Sequence, residues 1–217
     1  MEKEMIRILL ADDHEIIRSG LKLFISNLIA HCVIDEAWDG NSTLGKVKEN
    51  DYHLVIMDLN MPGTNSFELI ENIVAVKPAA SVLIFSINPE EVHAKRYLQL
   101  GAKGYVNKNA PVSELGEAIN TVLKNKRYLS PSLSHGATEQ ILNGKTINPF
   151  DNLSAREFEV VQHLIKGESL SGICHEINLK ASTVSTYKAR IFEKLNCKNT
   201  MEVIQLAKIY NIFPAIE

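Results

Sequence analysis

Residues 53–63 read HLVIMDLNMPG. Leu54 to Met57 form an unbroken apolar run that ends on a carboxylate, Asp58, and Pro62 and Gly63 then turn the chain. A short apolar run bounded by turn residues describes a strand buried on both faces. A carboxylate at the end of such a strand needs a partner, because a buried unpaired charge is costly.

Working outward from this stretch, the same rhythm recurs. Strands are predicted at 6–11, 33–37, 54–58, 82–86 and 104–106. Between them lie helical patterns. IIRSGLKLFISNLI (16–29) has apolar residues at 17, 21, 24, 25 and 28, spaced for one helix face, and others run near 41–50, 66–76, 90–100 and 112–124. Strands alternating with helices of this length mean βαβ units and a parallel sheet. Residues 1–125 are thus expected to form an α/β domain, a five-stranded parallel, doubly wound sheet of the flavodoxin-like type.

The rhythm fails over 126–150, KRYLSPSLSHGATEQILNGKTINPF, where Pro, Gly, Ser and Asn gather. This reads as a linker with one short helix around 137–142. Residues 151–217 carry only helical patterns, a small all-α domain. LSAREFEVVQHLIKG (153–167) opens with Ser154 and Glu157, a capping box, and closes at Gly167. A short helix near 170–177, a longer one over 182–195 and a last one from Thr200 follow.

The chain has 217 residues, 45% of them hydrophobic, enough for two modest cores. No apolar run approaches the roughly 20 residues that span a bilayer, and the N-terminus lacks a signal-peptide pattern. A cytoplasmic protein is expected. Cys32, Cys174 and Cys197 show no metal spacing and read as buried, reduced thiols. Residues 1–125 hold 12 Lys+Arg against 17 Asp+Glu, 126–150 hold 3 against 1, and 151–217 hold 8 against 8. No broad basic field advertises nucleic acid, so any such function must rest on local pattern.

Ligands of open parallel sheets bind at the C-terminal edge of the strands. At that edge strand 1 leaves Asp12 and Asp13, strand 3 leaves Asp58, strand 4 leaves Ser86 and strand 5 leaves Lys108. Three neighbouring carboxylates repel, and a hard divalent cation resolves this; Mg²⁺ suits few carboxylates plus water and phosphate. With Lys108 and the Ser86 hydroxyl, the set is arranged to stabilise a phosphoryl group arriving on Asp58. Each residue alone has a plainer reading: Asp12 or Asp13 would also cap the helix that starts near Glu15.

ILLADDHEIIRSGL, LVIMDLNMPG, VLIFS and GAKGYVNK resemble the receiver domain of bacterial response regulators over about residues 5–125. The resemblance implies that Asp58 accepts phosphate from a sensor histidine kinase. It implies that Asp13 ligates Mg²⁺ directly, that Asp12 supports it partly through water, and that the Asn60 carbonyl is a further ligand. Ser86 and Lys108 would bind the phosphoryl group, and Tyr105 would be the rotameric aromatic of the switch. Three positions depart from the family pattern: Ile87 stands where a small residue is common, Asn109 where proline is common, and TNSFEL (64–69) replaces a small-residue stretch.

In the second domain, Val184, Tyr187, Ile191 and Leu195 share one face of the longer helix. Ser182, Thr186, Ala189, Arg190 and Glu193 oppose it, with Ser185 at the edge. Such a face can enter a major groove. Lys188 lies near the buried side, from which its stem can reach outward. Residues 151–212 resemble the C-terminal domain of NarL/FixJ (LuxR-type) regulators, and TVSTYK (183–188) is similar to the BvgA/EvgA-like subgroup. This implies a helix-turn-helix that contacts double-stranded promoter DNA through Ser182, Thr183, Ser185, Thr186, Lys188, Ala189 and Arg190. It also implies a homodimer when phosphorylated, with the last helix contributing Val203, Ile204 and Ala207, each of which has plain core packing as an equal reading. Leu170, Ser171, Gly172, Ile173 and Cys174 depart from the common motif of the supporting helix.

The function expected is therefore a response regulator of a two-component system, and not an enzyme. Two rivals stand beside it. A Mg²⁺-dependent phosphohydrolase would carry its nucleophile on strand 1 rather than after strand 3. A receiver-driven interaction module would have lost DNA binding.

Overall fold

The computed structural model describes residues 5–131, 148–210 and 212. The chain divides into two compact units, Met1–Leu142 and Asn143–Glu217. Among the described residues no helix is long and apolar enough to cross a membrane.

In the first unit the strands are β1 (Ile6–Ala11), β2 (Cys32–Ala37), β3 (Leu54–Met57), β4 (Ser81–Ser86) and β5 (Gly104–Asn107). They alternate with α1 (Glu15–Leu28), α2 (Gly40–Glu49), α3 (Ser66–Val76), α4 (Glu90–Gln99) and α5 (Val112–Leu123). All strand pairs are parallel, in the order β2-β1-β3-β4-β5. The order reverses at β1, which opens a crevice at the strand ends between β1 and β3.

β3 is buried along its whole length, as its apolar run predicts. Ile8, Leu10, Leu54, Ile56, Leu83 and Val106 point to one face and pack with Leu21 and Ile25 of α1 and Leu115, Ile119 and Val122 of α5. Alternation sends Leu9, Val55, Met57 and Ile84, all fully buried, to the opposite face. Each fully buried aliphatic side chain contributes about 1.5–3 kcal/mol relative to exposure. The sheet is thus a rigid frame for the residues at its edge.

β3 ends at Met57, one residue earlier than expected, yet the ladder continues past it. The Asp58 N–H donates to the Ala11 carbonyl at 2.8 Å, and the Asp12 N–H donates to the Ala37 carbonyl at 3.1 Å. These bonds fix both acids side by side at the sheet edge. The altered stretch after Gly63 has a structural use. Thr64 Oγ1 accepts the Gly40 N–H at 2.8 Å, and Asn65 Oδ1 caps α3 by accepting the Glu68 N–H at 3.2 Å.

Residues 126–130, read from sequence as the start of a linker, pack on the first unit. The Tyr128 N–H donates to the Lys103 carbonyl at 2.8 Å, and Ser130 Oγ donates to Glu90 Oε2 at 2.7 Å. The helix expected around 137–142 lies outside the described residues. At the other end, Phe150 is fully buried in the second unit, on the 3₁₀ turn Pro149–Asn152.

The second unit contains α6 (Ala155–Ile165), α7 (Leu170–Glu176), α8 (Ala181–Leu195) and α9 (Thr200–Ile209). Ser154 caps α6 in the expected box with Glu157. Glu157 is itself buried and accepts a bond from Lys194 Nζ at 2.6 Å, which ties α6 to α8. Burial pushes the Glu157 carboxyl upward, but the bonds from Lys194 and Ser154 outweigh it and hold its pKa below the usual range. Gly167 takes the left-handed conformation at φ 77°, where α6 must stop. The three cysteines are half-buried and unpaired rather than fully buried, and Cys32 opens the edge strand β2.

Candidate functional site

The acidic pocket of the first unit is built from the ends of β1, β3, β4 and β5. Asp12 and Asp58 are buried, at 2% and 3% exposure. Lys108 follows β5, and its Nζ donates to Asp12 Oδ2 at 2.7 Å and to Asp58 Oδ2 at 2.9 Å. Burial alone lowers an ammonium's pKa, yet the bonds to Asp12 and Asp58 outweigh it and raise that of Lys108 above its ordinary value. Asp58 Oδ1 accepts the Leu59 N–H at 2.7 Å. The carboxylate is therefore held at both oxygens and cannot swing.

Asp12 does not cap α1, whose N-cap is His14 with no side-chain cap bond; its Oδ1 instead accepts the His14 N–H at 2.8 Å and fixes the turn before the helix. Asp13 differs. Its Oδ1 is buried and receives no hydrogen bond. Asp12, Asp13, His14 and Asp58 each offer a ligand atom, and these atoms lie within 4.8 Å of one another. Carboxylate oxygens of this kind, one of them lacking a donor, fit a hard divalent cation.

Ser86 is fully buried at the end of β4, and the chain beyond it is held from several sides. The Tyr105 hydroxyl donates to the Asn88 carbonyl at 3.0 Å, and Asn107 Nδ2 donates to the same carbonyl at 3.0 Å. The Asn60 amide lies 3.4 Å from Ser86 Oγ and from the Asn88 side-chain oxygen. Tyr105 is turned inward, at 1% exposure, and burial pushes its phenol pKa up. Ile87 is 61% exposed.

The structure thus brings Asp12, Asp13, Asp58 and Lys108 into one pocket, with Asn60, Ser86 and Tyr105 linked through the β4–α4 loop. Sequence reasoning missed His14, Asn88 and Asn107. Each is within two residues of a predicted site residue, and that adjacency was the available signal.

In the second unit, α7 and α8 form a helix-turn-helix. Asn178, at φ 51°, makes the turn, and the Leu179 N–H donates to the Cys174 carbonyl at 3.1 Å. Val184, Ile191 and Leu195 are buried, while Tyr187 is half-buried. Ser182, Ser185, Thr186, Ala189 and Arg190 are exposed, and Thr183 and Lys188 are half-buried. Ser182, Thr183, Thr186, Tyr187 and Arg190 line an open concavity of about 290 Å³. Lys188 lies with its Nζ 5.5 Å from the centre of the Phe192 ring, a cation–π arrangement. Gly172 opens no gap: a Cβ there would meet Ser169 Oγ at an ordinary 3.4 Å.

Two of the three α9 residues follow the plain-core reading. Val203 and Ala207 of α9 are buried within this unit, at 0% and 3% exposure, and Ile204 is half-buried. Val203 and Ala207 close the helical core, whereas Ile204 keeps part of its surface open. The exposed apolar residues of α9 are Met201 and Ile209, at 63% and 73%.

Comparison with known proteins agrees with this architecture. Residues 8–120 match the response regulator receiver domain, and residues 151–207 match the luxR family of bacterial regulatory proteins. The response regulator GacA of Pseudomonas protegens is 32% identical over 203 residues, covering 94% of this chain and 95% of that protein. The response regulator UvrY of Escherichia coli K12 is 31% identical over 204 residues, covering 94% of each. The fold is shared with RcsB of Salmonella enterica, bound to the rprA promoter with the phosphomimetic BeF₃⁻. That structure has a TM-score of 0.73 and 22% identity, and covers 94% of this chain and 99% of that one. A receiver sheet with its acidic edge, followed by a LuxR-type helix-turn-helix and matched along nearly the whole chain, makes this protein a member of the NarL/FixJ family of DNA-binding, transcription-regulating response regulators.

Proposed function

We propose that Asp58 accepts a phosphoryl group from a sensor histidine kinase and that this switches the helix-turn-helix to bind promoter DNA as a homodimer. The observation that carries the reading is the Lys108 ammonium, held 2.7 Å from Asp12 and 2.9 Å from Asp58. It is a preset positive charge where phosphoryl oxygens gain negative charge. In the transfer, an Asp58 oxygen bonds to phosphorus while the bond from phosphorus to the kinase's histidine nitrogen breaks, and the imidazole leaves.

Asp12, Asp13, Asp58 and the Asn60 carbonyl would hold Mg²⁺. Bound there, the ion supplies charge neutralisation for the phosphoryl oxygens. Lys108 and the Ser86 hydroxyl hold those oxygens, and Tyr105 carries the change to the β4–α4 loop through Asn88. In the second domain, Ser182, Thr183, Ser185, Thr186, Ala189 and Arg190 face bases and phosphates, with Lys188 reaching a phosphate. The TVSTYK motif favours the BvgA/EvgA-like subgroup for this domain. The working division is receiver 1–125, linker 126–150 and DNA-binding domain 151–217. The protein acts in the cytoplasm and turns over no small substrate.

A second reading has support of its own. Residues 151–217 carry no net charge, and Gly172 weakens the supporting helix by about 1 kcal/mol relative to alanine. On that reading the tail binds protein, not DNA. Two experiments test the proposal. Acetyl phosphate with Mg²⁺ labels the wild type and not Asp58→Asn; label persisting on the variant would identify another acceptor. Selection from random DNA, with and without beryllofluoride, enriches a motif in the activated protein; no motif at low salt would favour the interaction module.

A further inference from the structure

Asp12 is held at four points, three of them supplied by the sheet edge, the pocket and the turn after β1. Its N–H donates to the Ala37 carbonyl at 3.1 Å, its Oδ2 accepts from Lys108 Nζ at 2.7 Å, and its Oδ1 accepts the His14 N–H at 2.8 Å. The fourth point is its own carbonyl. Pairing of β1 ends at Ala11 and α1 starts only at Glu15, so no backbone N–H among the described residues donates to that oxygen. Arg18 of α1 does so instead, with its Nη1 at 2.8 Å.

The guanidinium is in turn fixed. Its Nε donates to Glu36 Oε2 at 3.1 Å, and Lys22 Nζ donates to the other oxygen, Oε1, at 3.0 Å. Glu36 lies on β2, opposite Leu10 of β1. The bonds from Lys22 and Arg18 hold its carboxyl below the usual carboxylate range, so it stays ionised at neutral pH. The Arg18 side chain is only 11% exposed, whereas that of Lys22 is 52% exposed, so Arg18 alone of the two is packed inward. A planar guanidinium with several N–H groups serves a carboxylate and a carbonyl at once. Arg18 thereby joins α1, β2 and the end of β1. The carbonyl it grips belongs to the peptide between Asp12 and Asp13. That unit is planar, so holding its oxygen sets the rotation of the chain on both sides and with it the direction of both acids.

We propose that Arg18, braced by Glu36, is a positioning residue for phosphoryl transfer to Asp58, because it fixes the Asp12–Asp13 peptide beside the acceptor. It acts through that peptide and not by contact with the phosphoryl group. The proposal rests on Asp58 as the acceptor, and its test separates the two.

Arg18→Met, Arg18→Lys, Glu36→Gln and Lys22→Met are compared with wild type in the full-length protein. Labelling of Asp58 by acetyl phosphate is timed at saturating Mg²⁺, and urea unfolding establishes that each variant is folded under those conditions. Amide exchange at residues 12–14 is followed without metal. A displacement of about 1 Å costs about a hundredfold in rate; Arg18→Met is expected to label about tenfold more slowly, and Arg18→Lys, which keeps a donor for the carbonyl, within about threefold of wild type. Glu36→Gln should fall between them, and amide exchange at 12–14 should rise in the same order. Lys22→Met removes the other ion pair of Glu36 without touching the Asp12 carbonyl, and should label as wild type does. Labelling of Arg18→Met at the wild-type rate would overturn the proposal. So would Lys22→Met as slow as Arg18→Met, or Arg18→Lys no faster than Arg18→Met. If Arg18→Met does not fold, Glu36→Gln decides, and labelling no slower than that of Lys22→Met overturns the role of the pair. A wild type that takes no label, or label undiminished in Asp58→Asn, would overturn the acceptor reading itself.

Discussion

The ammonium of Lys108 lies 2.9 Å from Asp58 Oδ2, although the two residues are 50 positions apart in the chain, and both side chains are nearly closed to solvent. The same ammonium reaches Asp12, so one positive charge is shared by two buried acids. A pair of this kind gives little net stability when intact, but breaking it leaves an uncompensated buried charge. The pocket therefore holds its charges ready at the cost of depending on each of them.

Lys108→Met should destabilise the protein by about 3 kcal/mol in urea unfolding without divalent ions, because Asp12 and Asp58 then face each other unpaired. Mg²⁺ should recover more stability in the variant than it adds to the wild type. The pH dependence has a fixed sign. The folded pKa of Lys108 is raised above its ordinary 10.5, so its contribution is full below about that pH and is lost as pH rises through the higher folded value. The wild-type and variant curves should converge only in strong alkali. Equal stability of the two proteins at neutral pH would remove Lys108 from this role.

Tyr105 and Asn107 both donate to the Asn88 carbonyl. Tyr105→Phe alone should cost about 1 kcal/mol, since Asn107 still satisfies that oxygen. Tyr105→Phe with Asn107→Ala leaves it without either donor, and the double variant should lose more than the sum of the singles. Amide exchange at residues 87–89 should speed up in step. Additive losses with unchanged exchange would show that the loop is held elsewhere.

Arg190 is exposed at the edge of the α8 concavity, whereas Lys188 lies against the Phe192 ring. Arg190→Ala should weaken DNA binding across sequences and reduce the salt slope by about 1. Lys188→Ala should change the slope less, because its charge is partly engaged within the helix. Affinity measured from low to high salt distinguishes them, and a slope untouched by Arg190→Ala takes that residue out of the interface.

On α9, burial separates stability from association. Val203→Ala should cost about 2 kcal/mol in thermal or urea unfolding. Met201→Glu and Ile209→Glu, on the exposed face with Gln205 and Lys208, should leave unfolding within about 0.5 kcal/mol. In the activated protein these two changes should lower dimer affinity in sedimentation. A dimer that resists both charges would place its interface off α9.

Much of this was legible in the sequence because it is local. The apolar run of β3 ending on Asp58, the period-3.6 stripe of α8, the Ser154–Glu157 box and the Gly167 stop follow from residue type and spacing alone. They sufficed for the α/β class and the helical tail, while the family rested on the resemblance of longer motifs such as ILLADDHEIIRSGL and LVIMDLNMPG. The acids could be assigned to one edge because every parallel strand sends its C-terminal end the same way.

Other relationships depend on distance in space, which a linear pattern does not encode. Helical periodicity places Val203 and Ala207 on a face, but only the packed helices show that this face is already covered. The sharing of Lys108 by Asp12 and Asp58 and the meeting of Tyr105 and Asn107 on the Asn88 carbonyl depend on side-chain reach across a formed sheet edge. The sequence by itself determined which residues arrive at that edge. The tertiary structure decided which of them touch, because hydrogen bonds and ion pairs act over about 3 Å and are set by packing, not by order along the chain.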